Sequence, residues 1–91
     1  MLKPGMMNPD TREIIIAIFS KIQKLPKGEI DLEADLVKHY GIDSLRAVKL
    51  LSTLEVELDI EFPDEDMKTI RTLNDVRILA ERRLKERTEP D

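Results

Sequence analysis

Three stretches of this chain repeat apolar residues every three or four positions, and nothing else in it offers a pair of strands. The first stretch is Ile14, Ile15, Ile18, Ile22 and Leu25, widened by Ile16 and Phe19. The second is Leu45, Val48, Leu50 or Leu51, Leu54 and Leu58, and the third is Leu73, Val76, Leu79, Ala80 and Leu84. That period places the apolar side chains on one face of a helix. A shorter helical piece fits between Asp64 and about Ile70. Asp59-Ile60-Glu61-Phe62-Pro63 alternates like a strand but has no partner, so it reads as a connection. The predicted fold is all-α: a small four-helix bundle with three long helices, one short third helix and a long first loop.

Local signals set the expected boundaries. Asn8 followed by Pro9 reads as a helix cap and first helical residue, with Asp10 and Glu13 complementing the helix dipole. Pro26 and Gly28 are expected to end that helix. The connection from Lys27 to Asp43 is long for a small domain, which often marks function. Its Leu32, Leu36 and Ile42 are expected to anchor it to the helices, with one short turn near Ala34–Lys38. Asp43 reads as the cap of the second helix, Asp64 as the cap of the third and Thr72 as the cap of the last. Residues 1–7 read as a flexible leader in which Met6 or Met7 is a possible natural start. Residues 8–86 read as one domain and 87–91 as a polar tail.

Composition removes whole classes of chemistry. Ninety-one residues make one domain. There is no cysteine, hence no disulfide, thiolate metal site or cysteine nucleophile, and a single histidine cannot build a histidine zinc cage. His39 reads as an exposed loop residue. Aromatics are 3% with no tryptophan, the formal charge is −4, and the isoelectric point is near 5.0. Nucleic acid and anionic membranes are therefore poor partners, and basic protein surfaces good ones. No apolar run approaches a membrane span or a signal core, so the expected state is a cytoplasmic monomer. Asp64, Glu65 and Asp66 read as dipole complementation at a helix start. Calcium-loop spacing and its glycine are missing, so no metal site is expected.

Ser44 is the exception among these solvated polar groups. It follows Gly41-Ile42-Asp43 at the first turn of an amphipathic helix, where free backbone N–H groups suit a phosphate. Local physics alone leaves two readings open, since serine is also an ordinary helix-start residue. A hydrolase using Ser44 lacks a base and an oxyanion pocket.

Gly41-Ile42-Asp43-Ser44-Leu45 resembles the attachment motif of the acyl carrier protein family. The likeness extends over about seventy residues: Asp35-Leu36-Val37 before the motif, then Leu54-Glu55, Ile60-Glu61-Phe62-Pro63-Asp64-Glu65 and Thr72-Leu73-Asn74-Asp75-Val76 after it. The resemblance implies a non-enzymatic carrier. A separate phosphopantetheinyl transferase would attach 4′-phosphopantetheine to Ser44, and the arm would carry acyl groups as thioesters to acyl-transferring and condensing enzymes. Asp43 would cap the helix and help the transferase engage. Val48, Leu50, Leu54, Phe62, Met67, Ile70 and Val76 are the candidate lining for an acyl chain. Leu45, Arg46, Lys49, Glu55, Val56, Glu57, Asp64 and Glu65 are the candidate partner surface.

One departure stands out. Fatty-acid carriers usually have a strongly acidic second helix, whereas residues 44–58 hold Arg46 and Lys49 against Glu55 and Glu57, a net charge of zero. Val56 stands where an acidic residue is usual. Two cations near the positive end of a helix dipole oppose local preference, which suggests a specialised lipid, lipid A or polyketide-type carrier over a housekeeping one. An aminoacyl or peptidyl carrier and an unmodified helical adaptor are the alternative readings.

Overall fold

The computed structural model describes residues 10–88, which form α1 (Thr11–Gln23), α2 (Ser44–Leu58), α3 (Asp64–Met67) and α4 (Leu73–Thr88), with one 3₁₀ turn at Lys27–Glu29. The expected fold class holds: three long helices, one short one, and no strand among the described residues beyond an isolated bridge between Asp35 and Thr72. No described helix is long and apolar enough to cross a membrane.

The helix ends show where local chemistry departs from the predicted boundaries. Asn8 and Pro9 lie outside the described residues, and the cap of α1 is Asp10, whose carboxylate accepts from the Arg12 amide at 3.0 Å. The helix stops at Gln23, before Pro26. Lys24 adopts the left-handed conformation, φ 57°, so that its own N–H and that of Leu25 both turn back onto the Ser20 carbonyl. That arrangement satisfies a terminal carbonyl without glycine, and it carries Leu25 off the helical stripe. Asp59 closes α2 in the same way, with φ 57° and with the Asp59 and Ile60 amides on the Glu55 carbonyl.

In α3 the cap position belongs to Pro63, not Asp64. The Pro63 carbonyl accepts from Asp66 and Met67, and no side chain caps the helix. Only four residues are helical there, and turns through Thr69 and Ile70 carry the chain on. Thr72 does cap α4: its hydroxyl accepts from the Asp75 amide at 3.1 Å, and the Asp75 carboxylate accepts from the Arg71 and Thr72 amides. This is a reciprocal capping box. The last helix runs to Thr88, two residues into the stretch expected as a polar tail.

One core joins the elements. α1 packs on both α2 and α4, and Ile15, Phe19, Leu50, Leu54, Leu73 and Val76 are essentially sealed from water. Leu36, Ile42, Ile60 and Phe62 enter the same core from the connections. The Lys27–Asp43 connection is therefore a built element, pinned by backbone bonds at three points. The Leu36 amide donates to the Arg71 carbonyl at 2.8 Å, the Ile42 amide to the Leu36 carbonyl at 3.0 Å, and the Asn74 amide to the Leu32 carbonyl at 2.9 Å. Tyr40 adds a side-chain anchor: its ring meets Phe19 edge-on at 4.9 Å, and its hydroxyl accepts from the Asp31 amide at 2.7 Å.

Asp35 starts the turn inside that connection. Its carboxylate accepts from the Lys38 amide at 2.8 Å and the Val37 amide at 2.9 Å. The Lys38 hydrogen bond does most to hold this carboxyl below the ordinary aspartate range. Partial desolvation opposes it, and the Val37 amide and the charges of Lys38 and Arg71 add to it. Gly41 then takes φ +68°, which turns the chain from the loop into α2. No atom lies within 4 Å of where its Cβ would sit, so backbone conformation and not space demands glycine there.

Two outcomes follow. Gly41→Ala should cost roughly 1–2 kcal/mol in denaturant unfolding, the penalty of the left-handed region, whereas Gly28→Ala, in open space without positive φ, should stay within about 0.5 kcal/mol. A carboxylate with a depressed folded-state pKa stabilises above its unfolded value and loses that effect as the pH falls through the folded one. The stability gap between the native chain and Asp35→Asn should therefore be constant near neutrality and close as the pH drops below about 4. A gap that persists at acid pH would remove the charge from this account.

Candidate functional site

The chain from Gly41 to Ala47 builds one exposed corner on a buried foundation. Ile42 is 4% exposed and locks the approach to α2. Asp43 next to it takes an extended conformation, and its carboxylate accepts from the Arg46 amide at 2.8 Å while its carbonyl accepts from Ala47 at 3.0 Å. These bonds satisfy two of the donors that open a helix. The Ser44 and Leu45 amides have no partner among the described residues. Ser44 is the first residue of α2 and is exposed. The corner thus presents a hydroxyl beside two unspent N–H donors at the positive end of a fifteen-residue helix.

A cavity of about 590 Å³ lies against this corner. Its apolar wall comes from Leu36, Ile42, Ala47, Leu51, Met67 and Ile70, and its charged lining is balanced, with Lys38 and Arg71 against Asp35 and Asp43. Met67 and Ile70 were among the residues expected to line an acyl site. Leu50, Leu54, Phe62 and Val76 were too, but all four are buried in the core, at most 4% exposed, and none lines this cavity. Val48 must be corrected: it is 52% exposed, because α2 buries Ala47, Leu50, Leu51 and Leu54 and turns Val48 outward. Ala47 and Leu51 are the helix residues that the sequence reading missed. They lie three and seven positions after Ser44, on the side of the helix that continues inward from it.

The residues expected to meet partners divide into exposed and committed groups. Leu45, 78% exposed, and Val56, 81% exposed, lie on the outward face of α2 with Val48. Lys49 is exposed on the same helix, and Asp64 and Glu65 are exposed at the start of α3. Glu55 is half-buried, and its carboxylate accepts from the Phe62 amide at 2.8 Å, which ties down the α2–α3 connection. Glu57 faces a groove between α1 and α2. The Arg46 guanidinium donates to the Gln23 side chain at 3.0 Å, and the Gln23 amide donates to the Tyr40 carbonyl at 3.1 Å. Arg46 therefore links the end of α1, the loop and the start of α2, a role no local sequence signal announces.

Among the described residues no side chain hydrogen-bonds the Ser44 hydroxyl, so no base is positioned on it. His39 is exposed and stacks edge-on against Tyr40 at 4.6 Å, with no hydrogen bond to Ser44. No cluster of three potential metal ligands exists among the described residues. An accessible hydroxyl beside free amides fits the attachment of a phosphate-bearing arm better than turnover at the serine itself.

Comparison with known proteins agrees with that geometry. Residues 13–77 match the family model for the phosphopantetheine attachment site. The chain is 40% identical over 68 residues to an acyl carrier protein homolog of Mycoplasmopsis pulmonis, covering 75% of this chain and 92% of that protein. It is 40% identical over 62 residues to the acyl carrier protein of Syntrophobacter fumaroxidans, covering 68% and 76%. Over 77 residues it is 30% identical to that of Bdellovibrio bacteriovorus, covering 85% and 94%. The chain belongs to the acyl carrier protein family: it is a carrier built around 4′-phosphopantetheine and not a catalyst.

Proposed function

We propose that Ser44 is the attachment residue and that the chain serves a specialised acyl pathway, with lipid or polyketide-type cargo, over housekeeping fatty-acid synthesis. The observation that carries the first part is the exposed Ser44 hydroxyl at the first position of α2, with the Asp43 carboxylate capping behind it. A phosphopantetheinyl transferase would move the arm from coenzyme A onto the Ser44 oxygen, and the arm supplies the thiol that this cysteine-free chain lacks. The chain's own residues do the rest. Asp43 and Gly41 fix the corner, the Ser44 and Leu45 amides favour a phosphodiester, and the cavity behind Ser44 shelters apolar cargo from water.

The pathway reading rests on charge. Lys49 stands exposed in the second turn of α2, and Arg46 is held in the first by Gln23. The outward face beside Lys49 is apolar, with Leu45, Val48 and Val56 all more than half exposed. A basic enzyme surface that docks on acidic carriers meets repulsion at this end of α2. A surface that offers a carboxylate there is favoured. Acidic residues remain at the far end, at Glu57, Asp64 and Glu65, so the docking surface is polarised along the helix.

Incubation with coenzyme A and a broad-specificity transferase should add the mass of one phosphopantetheine, and Ser44→Ala should abolish the gain. A modified Ser44→Ala chain would overturn the site assignment. Lys49→Glu should raise elongation by generic fatty-acid synthase enzymes about fivefold in kcat/KM, the upper range for one exposed charge interaction. Equal kinetics for the two chains would overturn the specialised reading and leave the attachment site intact.

A further inference from the structure

A second opening lies away from Ser44, between α1 and α2. Its floor is Ile14, Ile18 and Ile22 of α1, all half-buried, and its volume is about 420 Å³. The two helices run antiparallel here, since Gln23 at the end of α1 bonds Arg46 at the start of α2 and Ile14 shares the groove with Glu57. The groove consequently has electrical ends. Lys21 and Lys49 line it at the end where Ile22 lies, and Glu57 lines it at the opposite end. Neither lysine forms an ion pair with any described residue.

The ordinary explanation covers only half of this. Lys21 sits in the last turn of α1, where a cation suits the dipole. Lys49 sits near the positive end of α2, where it does not. From Ile22 to Ile14 the floor extends about 12 Å, eight residues at the helical rise. An apolar strip of that length, closed by two unpaired ammonium groups at one end and a carboxylate at the other, has a definite complement.

We infer that the α1–α2 groove binds an unattached medium-chain fatty carboxylate, with its head at Lys21 and Lys49 and its tail along Ile22, Ile18 and Ile14. The polarity sets the orientation, because the reversed ligand would bring its carboxylate to Glu57. Burial of the tail supplies the attraction, and the two lysines supply preference for an acid over an alcohol of equal length. The groove is independent of the Ser44 cavity, which has a different lining.

Decanoate, below its micelle concentration, is the probe, titrated into the full chain and into Ser44→Ala while amide shifts are followed. Saturable shifts at Ile14, Ile18 and Ile22 are expected in both proteins, so loss of the attachment site leaves this result untouched. Lys21→Gln should weaken decanoate binding about two- to fivefold and the double variant with Lys49→Gln about tenfold, on the scale of exposed charge pairs. Decanol should bind the three chains equally. Unsaturable shifts, shifts confined to Leu36, Met67 and Ile70, or lysine variants with unchanged affinity would each overturn the assignment. So would silence toward decanoate, which would leave the groove to a protein partner.

Discussion

Leu36 is held on both sides of its peptide: its amide donates to the Arg71 carbonyl, and its carbonyl accepts from the Ile42 amide. With the side chain buried in the core, this residue fastens the middle of the long connection to the α3–α4 junction. Burial of Leu36 and Ile42 and the edge-on contact of Tyr40 with Phe19 hold the rest of the connection in place. The position of Ser44 depends on this arrangement more than on α2 itself. Gly41, Ile42 and Asp43 can present the serine at a fixed corner only because the chain ahead of them is fixed.

Much of this was legible from residue types. The three long helices follow from apolar periodicity, and the Asp43 and Thr72 caps from local chemistry that the structure repeats bond for bond. The end of α2 falls at Leu58, where the apolar stripe stops, whereas the end of α1 was harder. Lys24 and Asp59 adopt left-handed caps that the sequence usually assigns to glycine, so at α1 the stop moved ahead of Pro26. The short α3 was legible as a helix but not in its cap, because Pro63 acts through its carbonyl and not through a side chain.

The site divides along a similar line. Its exposed chemistry, Asp43 and Ser44, is local and could be read directly. Its walls are not local. Leu36, Met67 and Ile70 meet only through the packing of the loop and the α3–α4 junction, and no spacing rule connects them. Val48 shows the opposite error: an apolar residue at helical spacing reads as interior, yet its face points to water. Glu55 and Arg46 do more than charge the surface. Both read as surface charges, yet the first ties down a connection and the second bridges two helix ends through Gln23.

Tyr40 is the only tyrosine, and there is no tryptophan. Its ring is wedged between Phe19 and His39, and its hydroxyl reads the Asp31 amide across the first loop. All of the near-ultraviolet emission characteristic of tyrosine and tryptophan therefore originates at the seam where the loop meets α1. The molecule carries an intrinsic optical reporter, silent about the far end of the bundle and sensitive to the docking of the segment that presents Ser44. Lifetime or anisotropy of that single fluorophore follows the loop in unlabelled protein, with no second emitter to subtract.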